Sequence, residues 1–189
     1  LDPKLEGKII FSDPNSSSAA WNNVSNIMAV YGNDSEEAWT YIEGLMKNLV
    51  IAGSSSACFK SVQQGEYVVG LTYEDGASTL LKDGATNIKM VYPSEGSSAF
   101  AFAAAIVKNA PHMDAAKAMI EWLQSAEGQS YRANYVGTVR FTNENVVVEQ
   151  SWLPESDTIH WVTRDIDWLI ANKTAMLDKW SELYSQYNG

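Results

Sequence analysis

The 189-residue sequence holds one cysteine, Cys58, and two histidines, His112 and His160. A single cysteine permits no internal disulfide, so cysteine usage does not fix the redox compartment. The histidines stand in loop-like surroundings with no Cys or His at zinc-ligand spacing and read as solvated side chains. Also missing are the Gly-x-Ser-x-Gly elbow, a phosphate loop ending in Gly-Lys-Ser or Gly-Lys-Thr, and the Gly-x-Gly-x-x-Gly fingerprint. No apolar run reaches the roughly 20 residues that span a bilayer. No basic segment with an apolar stretch behind it precedes the first predicted strand. Basic residues are scarce. Thirteen Lys and Arg face 23 Asp and Glu, a net charge of −10, which opposes binding to nucleic acid or to an anionic membrane surface. No repeat, low-complexity tract or linker divides the chain.

A hydrophobic content of 46% with seven tryptophans is enough for a sizeable core. The stretch from Lys8 to Trp21 organises the rest. Lys8-Ile9-Ile10-Phe11-Ser12 reads as a buried strand, Asp13-Pro14-Asn15 as a turn, and Ser16-Ser17-Ser18 as the entry to a helix. That helix carries Ala20, Val24, Ile27, Met28 and Tyr31 on one face. A helix start leaves unpaired N–H groups and a partial positive charge, so three hydroxyls there form a candidate cradle for an anion or polar ligand. An ordinary N-cap accounts for the serines equally well.

A second amphipathic helix begins near Asp34 or Ser35 and carries Ala38, Ile42, Leu45, Met46 and Leu49. Gly53-Ser54-Ser55-Ser56-Ala57 repeats the serine-rich helix start, and a short helix with Cys58, Phe59 and Val62 ends at Gly65. The two serine-rich starts are candidates for one shared cleft. Tyr67-Val68-Val69-Gly70-Leu71-Thr72 is predicted to be a strand buried on both faces, with Tyr73-Glu74-Asp75-Gly76 as the turn at its carboxyl end. A short helix bearing Leu80 and Leu81 ends at Gly84. Strands are predicted at Ile88–Tyr92, at Ala99–Val107 and at Thr138–Phe141. Asp114 is expected to cap a helix with Ala118, Met119 and Trp122, and Ser125-Ala126-Glu127-Gly128-Gln129 to start another that runs through Tyr135. Residues 143–165 read as a long irregular connection, and Ile166 to about Tyr187 as a long packing helix. The alternation of strands and helices predicts an α/β fold with a mostly parallel sheet flanked by helices.

Beyond the serines, the candidate polar groups are Glu74, Asp75 and Glu95. In an extended strand end Glu74 and Asp75 would point to opposite sides, which argues against a paired acid and base. One of them, with Glu95, is suited to accept hydrogen bonds from ligand hydroxyls or to contact a cation. A solvated acidic rim would look the same. Tyr73 and Tyr92 offer phenolic or stacking contacts.

Taken in order, several stretches resemble the solute-binding proteins of ABC importers. They are Leu1-Asp2-Pro3-Lys4-Leu5-Glu6-Gly7-Lys8-Ile9-Ile10-Phe11-Ser12-Asp13-Pro14, the Ser16-Ser17-Ser18 helix start, and Gln64-Gly65-Glu66-Tyr67-Val68-Val69-Gly70-Leu71-Thr72-Tyr73. Val91-Tyr92-Pro93-Ser94-Glu95-Gly96, Ala115 to Leu123, Ser125 to Gln129 and Asp178-Lys179-Trp180 complete the pattern. The branch resembled contains ferric-iron, thiamine, polyamine, phosphonate and sugar-phosphate binders.

The resemblance implies a periplasmic-binding-protein-like (type II) fold of two α/β lobes with the solute held between them. Residues 1–189 would form the second, C-terminal lobe. The sequence opens on Leu1 rather than Met, and Leu1 to Gly7 reads as a connection already under way, so a preceding first lobe is expected, with residues 99–135 packing on it. An exposed apolar strand there would otherwise favour a non-native homodimer. The implied ligand contacts are Ser16, Ser17 and Ser18, then Tyr73, Glu74 and Asp75, then Glu95. The ferric-iron branch uses adjacent tyrosines where this chain has Tyr73-Glu74, so a phosphate-bearing or otherwise anionic solute fits the helix start better. Ferric iron, or an iron complex, is the alternative within the family. No cofactor, no resident metal and no catalysis are implied. The implied partners are a small-molecule solute and a membrane permease, and the implied location is periplasmic or extracellular, lipid-anchored if the source is Gram-positive. Two readings from other classes compete: an α/β enzyme using Glu74 or Asp75 as base, and an interaction fragment that binds no small molecule.

Overall fold

A computed structural model describes residues 1–148 and 152–188. The chain divides into two compact units, Leu1–Ala99 with Glu155–Gly189, and Phe100–Pro154. No linker in the sequence announces that division.

The first unit is built on a three-stranded parallel sheet in the order β2-β1-β3. β1 is Ile9–Ser12, β2 is Leu49–Ala52 and β3 is Val69–Gly70. Ile9 to Ser12 pair in register with Leu49 to Ala52, and Ile9 and Ile10 pair with Val69 and Gly70 on the other side. The central strand is buried at every position, as expected of a strand with a neighbour on each edge and helices on each face. Alternation sorts its side chains. Ile9 and Phe11 join the main core with Ala20, Val24 and Met28 of α1 (Ser18–Tyr31), Ile42, Leu45 and Met46 of α2 (Glu36–Met46), and Leu169, Met176 and Trp180 of α7 (Ile166–Asn188). The opposite face meets α3 (Ala57–Gln63) so closely that a β-carbon on Gly70 would stand 1.9 Å from the carbonyl oxygen of Cys58.

Helix starts follow local chemistry. Ser17 caps α1 and Ser35 caps α2, each side chain accepting the N–H three residues on, and the glutamates of the first α2 turn suit its partial positive charge. Gly32, at φ 106°, ends α1 in a conformation that L-residues rarely adopt.

Several expectations are corrected. Leu49 does not extend α2: the helix ends at Met46, Lys47 and Asn48 form a turn, and Leu49 opens β2. The predicted Tyr67–Thr72 strand shrinks to Val69–Gly70, and Val68 is exposed. The segments at 88–92, 99–107 and 138–141 carry no strand, because nothing pairs with them in a ladder. Val91 and Phe102 are accordingly more than two-thirds exposed. Glu74-Asp75-Gly76 is no turn but the first turn of α4 (Glu74–Lys82).

The second unit holds α5 (Met113–Gln124) and α6 (Ala126–Tyr135). His112, rather than Asp114, is the N-cap of α5, and Ser125 caps α6 through the N–H of Gly128 at 3.0 Å. Gln129 is buried, accepting from the backbone N–H groups of Thr142 and Asn143 and donating to Thr142 Oγ1. Phe100, Phe102, Met119, Tyr131 and Tyr135 are exposed. The irregular connection reaches α7 through one 3-10 turn, Ser156–Thr158, and its residues 149–151 lie outside the described residues.

Candidate functional site

In a parallel α/β sheet the strands' carboxyl ends open where helices begin, so loop residues gather along one edge. Here β1 ends at Ser12 and leads through Asp13–Ser16 to α1, and the adjacent β2 ends at Ala52 and leads through Gly53–Ser56 to α3. The two serine-rich starts border one depression of about 320 Å³, lined by Ser12, Ser16, Ser17, Ser18, Ala52, Gly53, Ser54 and Ser55. None of these lining residues ionises. An entering group would meet hydroxyls, the first backbone N–H groups of α1, which have no intrahelical acceptor, and the positive end of the helix dipole.

The Asp13 turn shapes the approach. The carbonyl of Asp13 accepts from the N–H groups of Ser16 and Ser17 at 3.1 and 2.9 Å. Its carboxylate accepts from Asn15 N and Nδ2, both at 2.9 Å. Ser16 and Ser18 are exposed and Ser17 is half-buried. Ser17 Oγ accepts the Ala20 N–H at 3.3 Å and the hydroxyl of the buried Ser12 at 3.0 Å. On the other wall Ser54 Oγ accepts from Ala57 N at 3.4 Å and lies 3.3 Å from Ser56 Oγ. Beneath both walls Cys58 is fully buried, and burial pushes its thiol above the ordinary range despite a hydrogen bond with Ser12. Burial thus outweighs any lowering by the nearby helix start.

Tyr73 joins this edge at the carboxyl end of β3. Its phenol, raised by burial first and then by the charge of Asp75, hydrogen-bonds Ser55, and its ring meets Phe59 edge-on with centroids 5.7 Å apart. Glu74 and Asp75 follow in the first turn of α4, so they diverge around a helix rather than across a strand. Glu74 accepts a hydrogen bond from the hydroxyl of Tyr92. Glu95 lies elsewhere. The carbonyl of its neighbour Gly96 accepts from Asn26 Nδ2 at 3.0 Å, and the Glu95 charge bears on Tyr31 and Tyr41. Asn26 is about 12 Å along the helix axis from Ser18. The structure therefore brings Ser16, Ser17 and Ser18 to one depression, links Tyr73 to its Ser55 wall, places Glu74 and Asp75 in the helical turn that follows Tyr73, and sets Glu95 beside the middle of α1.

The sequence marks Ser12 only as the end of a strand, and its alternation with the core residue Phe11 is the signal that turns it toward Cys58 of α3. A broader groove that no motif announces is lined by Leu1, Glu36, Glu37, Thr40 and the stacked Tyr31 and Tyr41, whose centroids are 5.1 Å apart. Among the described residues no helix is long and apolar enough to cross a membrane. No group of three His, Cys, Asp or Glu among them is placed to hold a metal ion.

The parallel sheet flanked by helices is a fold that the chain shares with periplasmic binding proteins. The chain belongs to the bacterial extracellular solute-binding protein family, whose model matches residues 1–135. It is similar, at 25% identity and a TM-score of 0.77, to the periplasmic binding protein AfuA of Actinobacillus pleuropneumoniae, solved with exogenous fructose-6-phosphate bound. That match covers 97% of this chain and 58% of AfuA. The periplasmic binding protein P5PA shares the fold at a TM-score of 0.72 and 19% identity, over 97% of this chain and 58% of its own. An uncharacterized protein of Haemophilus influenzae is 21% identical over 182 residues, which are 95% of this chain and 52% of that protein. The chain thus spans between half and three-fifths of the length of these relatives.

Proposed function

We propose that this chain is the second lobe of the solute-binding component of an ABC importer, working outside the cytoplasmic membrane. Its serine cradle receives the anionic, phosphate-bearing end of a small solute, a preceding lobe closes over it, and the pair delivers the solute to a membrane permease. The observation that carries this reading is the 320 Å³ depression walled by two serine-rich helix starts at the carboxyl ends of adjacent parallel strands. Backbone N–H groups, hydroxyls and a helix dipole suit an anion without any cationic side chain. The sugar phosphate bound to AfuA supports the same class of solute. Tyr73, Glu74 and Asp75, at the neighbouring strand end, are suited to the solute's hydroxyl groups. This reading gives Glu95 no share of the anion, since it stands beside the middle of α1.

Thermal unfolding of the chain, together with any residues that precede it in its gene, tests this against fructose-6-phosphate, fructose, a phosphonate, a polyamine, thiamine and ferric citrate. A phosphate-bearing compound at 100 times its Kd should add about 2.7 kcal/mol of stability, and fructose should add none. Stabilisation by the polyamine, thiamine or the iron complex alone, or by none of the panel, would overturn the proposal.

A further inference from the structure

Tyr73 is 36% exposed, and side chains with that much open surface ordinarily hop between rotamers within nanoseconds. Here three contacts oppose such motion. Phe59 of α3 meets the Tyr73 ring edge-on, with centroids 5.7 Å apart and planes at 90°. The phenol is hydrogen-bonded to Ser55, which lines the depression. On a third side stands Gly76, buried in the first turn of α4. A β-carbon on Gly76 would run into the Phe59 ring and stand 2.9 Å from Tyr73 Cε2, so the missing side chain is what lets both rings close against the helix. Phe59 carries no polar atom and is not among the lining residues.

We infer that Phe59 is a positioning residue: acting through Tyr73, it fixes the phenol at the edge of the depression for the part of the solute that carries no phosphate. The inference rests on the proposed function, which gives the anion to the serines and the hydroxyl-bearing part of the solute to Tyr73. A side chain already fixed in place loses no rotamer freedom when a ligand touches it. Releasing Tyr73 from Phe59 restores that freedom to the unliganded protein, and the loss on binding then lowers affinity about fivefold. Inorganic phosphate has no second part to touch Tyr73, so its binding is indifferent to Phe59.

The test compares fructose-6-phosphate with inorganic phosphate by calorimetry on the intact protein. Phe59→Leu keeps an apolar side chain on α3 and removes the ring that faces Tyr73. It should lower the preference for the sugar phosphate about fivefold and leave inorganic phosphate unchanged. Tyr73→Ala should lower that preference at least as much. Added to Tyr73→Ala, Phe59→Leu should change nothing further, because its effect passes through the ring already removed. A merely structural part in α3 would weaken both ligands, or act equally with Tyr73 present and absent. Gly76→Ala disturbs the same rings without removing either and should also lower the preference, which keeps the test decisive if the leucine variant does not fold. An unchanged preference in Phe59→Leu or, failing that protein, in Gly76→Ala would overturn the inference and leave the cradle reading standing. So would equal weakening of both ligands, an equal effect of Phe59→Leu in the two backgrounds, or a wild-type preference in Tyr73→Ala. Failure of either ligand to bind the wild type would overturn the cradle reading and the inference with it.

Discussion

Phe11, at the heart of β1, meets Trp180 of α7 edge-on, with ring centroids 5.5 Å apart and planes at 64°. Both rings are almost completely buried. Phe11 immediately precedes Ser12, so the C-terminal helix, distant in sequence, supports through Trp180 the strand end from which the cradle is built. Removing a buried indole leaves a large hole and forfeits the edge-to-face contact. Trp180→Ala should cost about 3–5 kcal/mol of stability, read as a lowered urea midpoint. A midpoint within the error of the wild type would mean that α7 does not brace β1.

Gly70 is needed where β3 crosses α3. Its pairing with Ile10 holds β3 in the sheet, and a β-carbon there would collide with the carbonyl of Cys58 at 1.9 Å. Backbone cannot yield as a side chain can, so Gly70→Ala should cost roughly 3 kcal/mol. The displaced strand leads to Tyr73, so the variant should also loosen the edge-on contact of Tyr73 with Phe59, read as shifted aromatic resonances of the two rings. Gly65→Ala, where no neighbour lies within 4 Å, meets no such collision and pays only for its positive φ.

Cys58 sets a pH dependence. Burial holds its thiol above the ordinary range in the folded state. Between the unfolded and folded values the unfolded chain has lost a proton that the folded chain keeps, so stability falls as pH rises. The contribution is fully present below the ordinary thiol pKa of about 8.5 and declines above it. Tyr41, raised by burial and by Tyr31 and Glu95, adds a second decline above about pH 10. Urea midpoints against pH should show the first decline in the wild type and lose it in Cys58→Ala. The thiol should also react with a disulfide reagent only as fast as the unit opens. A rapid reaction under native conditions would contradict the burial.

The helices were legible in the sequence because each carries its own evidence. Ala20, Val24 and Met28 repeat at helical spacing, and Ser17, Ser35 and Ser125 announce starts that the structure keeps. The strands were less legible, since a strand needs a partner that its own residues do not name. Ile88–Tyr92 has strand-like composition, the alanine-rich Ala99–Val107 fits either period, and neither forms a ladder, while Leu49 fits the spacing of the preceding helix until Ile9 pairs with it. The site followed the same division. Ser16, Ser17 and Ser18 stood out as a helix start. Glu74 and Asp75 changed character because the helix begins at Glu74, and Glu95 fell away from the serines because distance across a fold is not written in spacing along the chain.

The most direct test of the cradle follows the amide resonances of the isotope-labelled intact protein as fructose-6-phosphate is added. Saturable shifts should centre on Ser17, Ser18 and Ala19, with smaller ones at Ser54 and Ser55, and fructose should leave them in place. Shifts centred instead on Tyr31, Tyr41 and Glu95, or no saturable shift at the α1 start, would contradict a serine cradle for a phosphate-bearing solute.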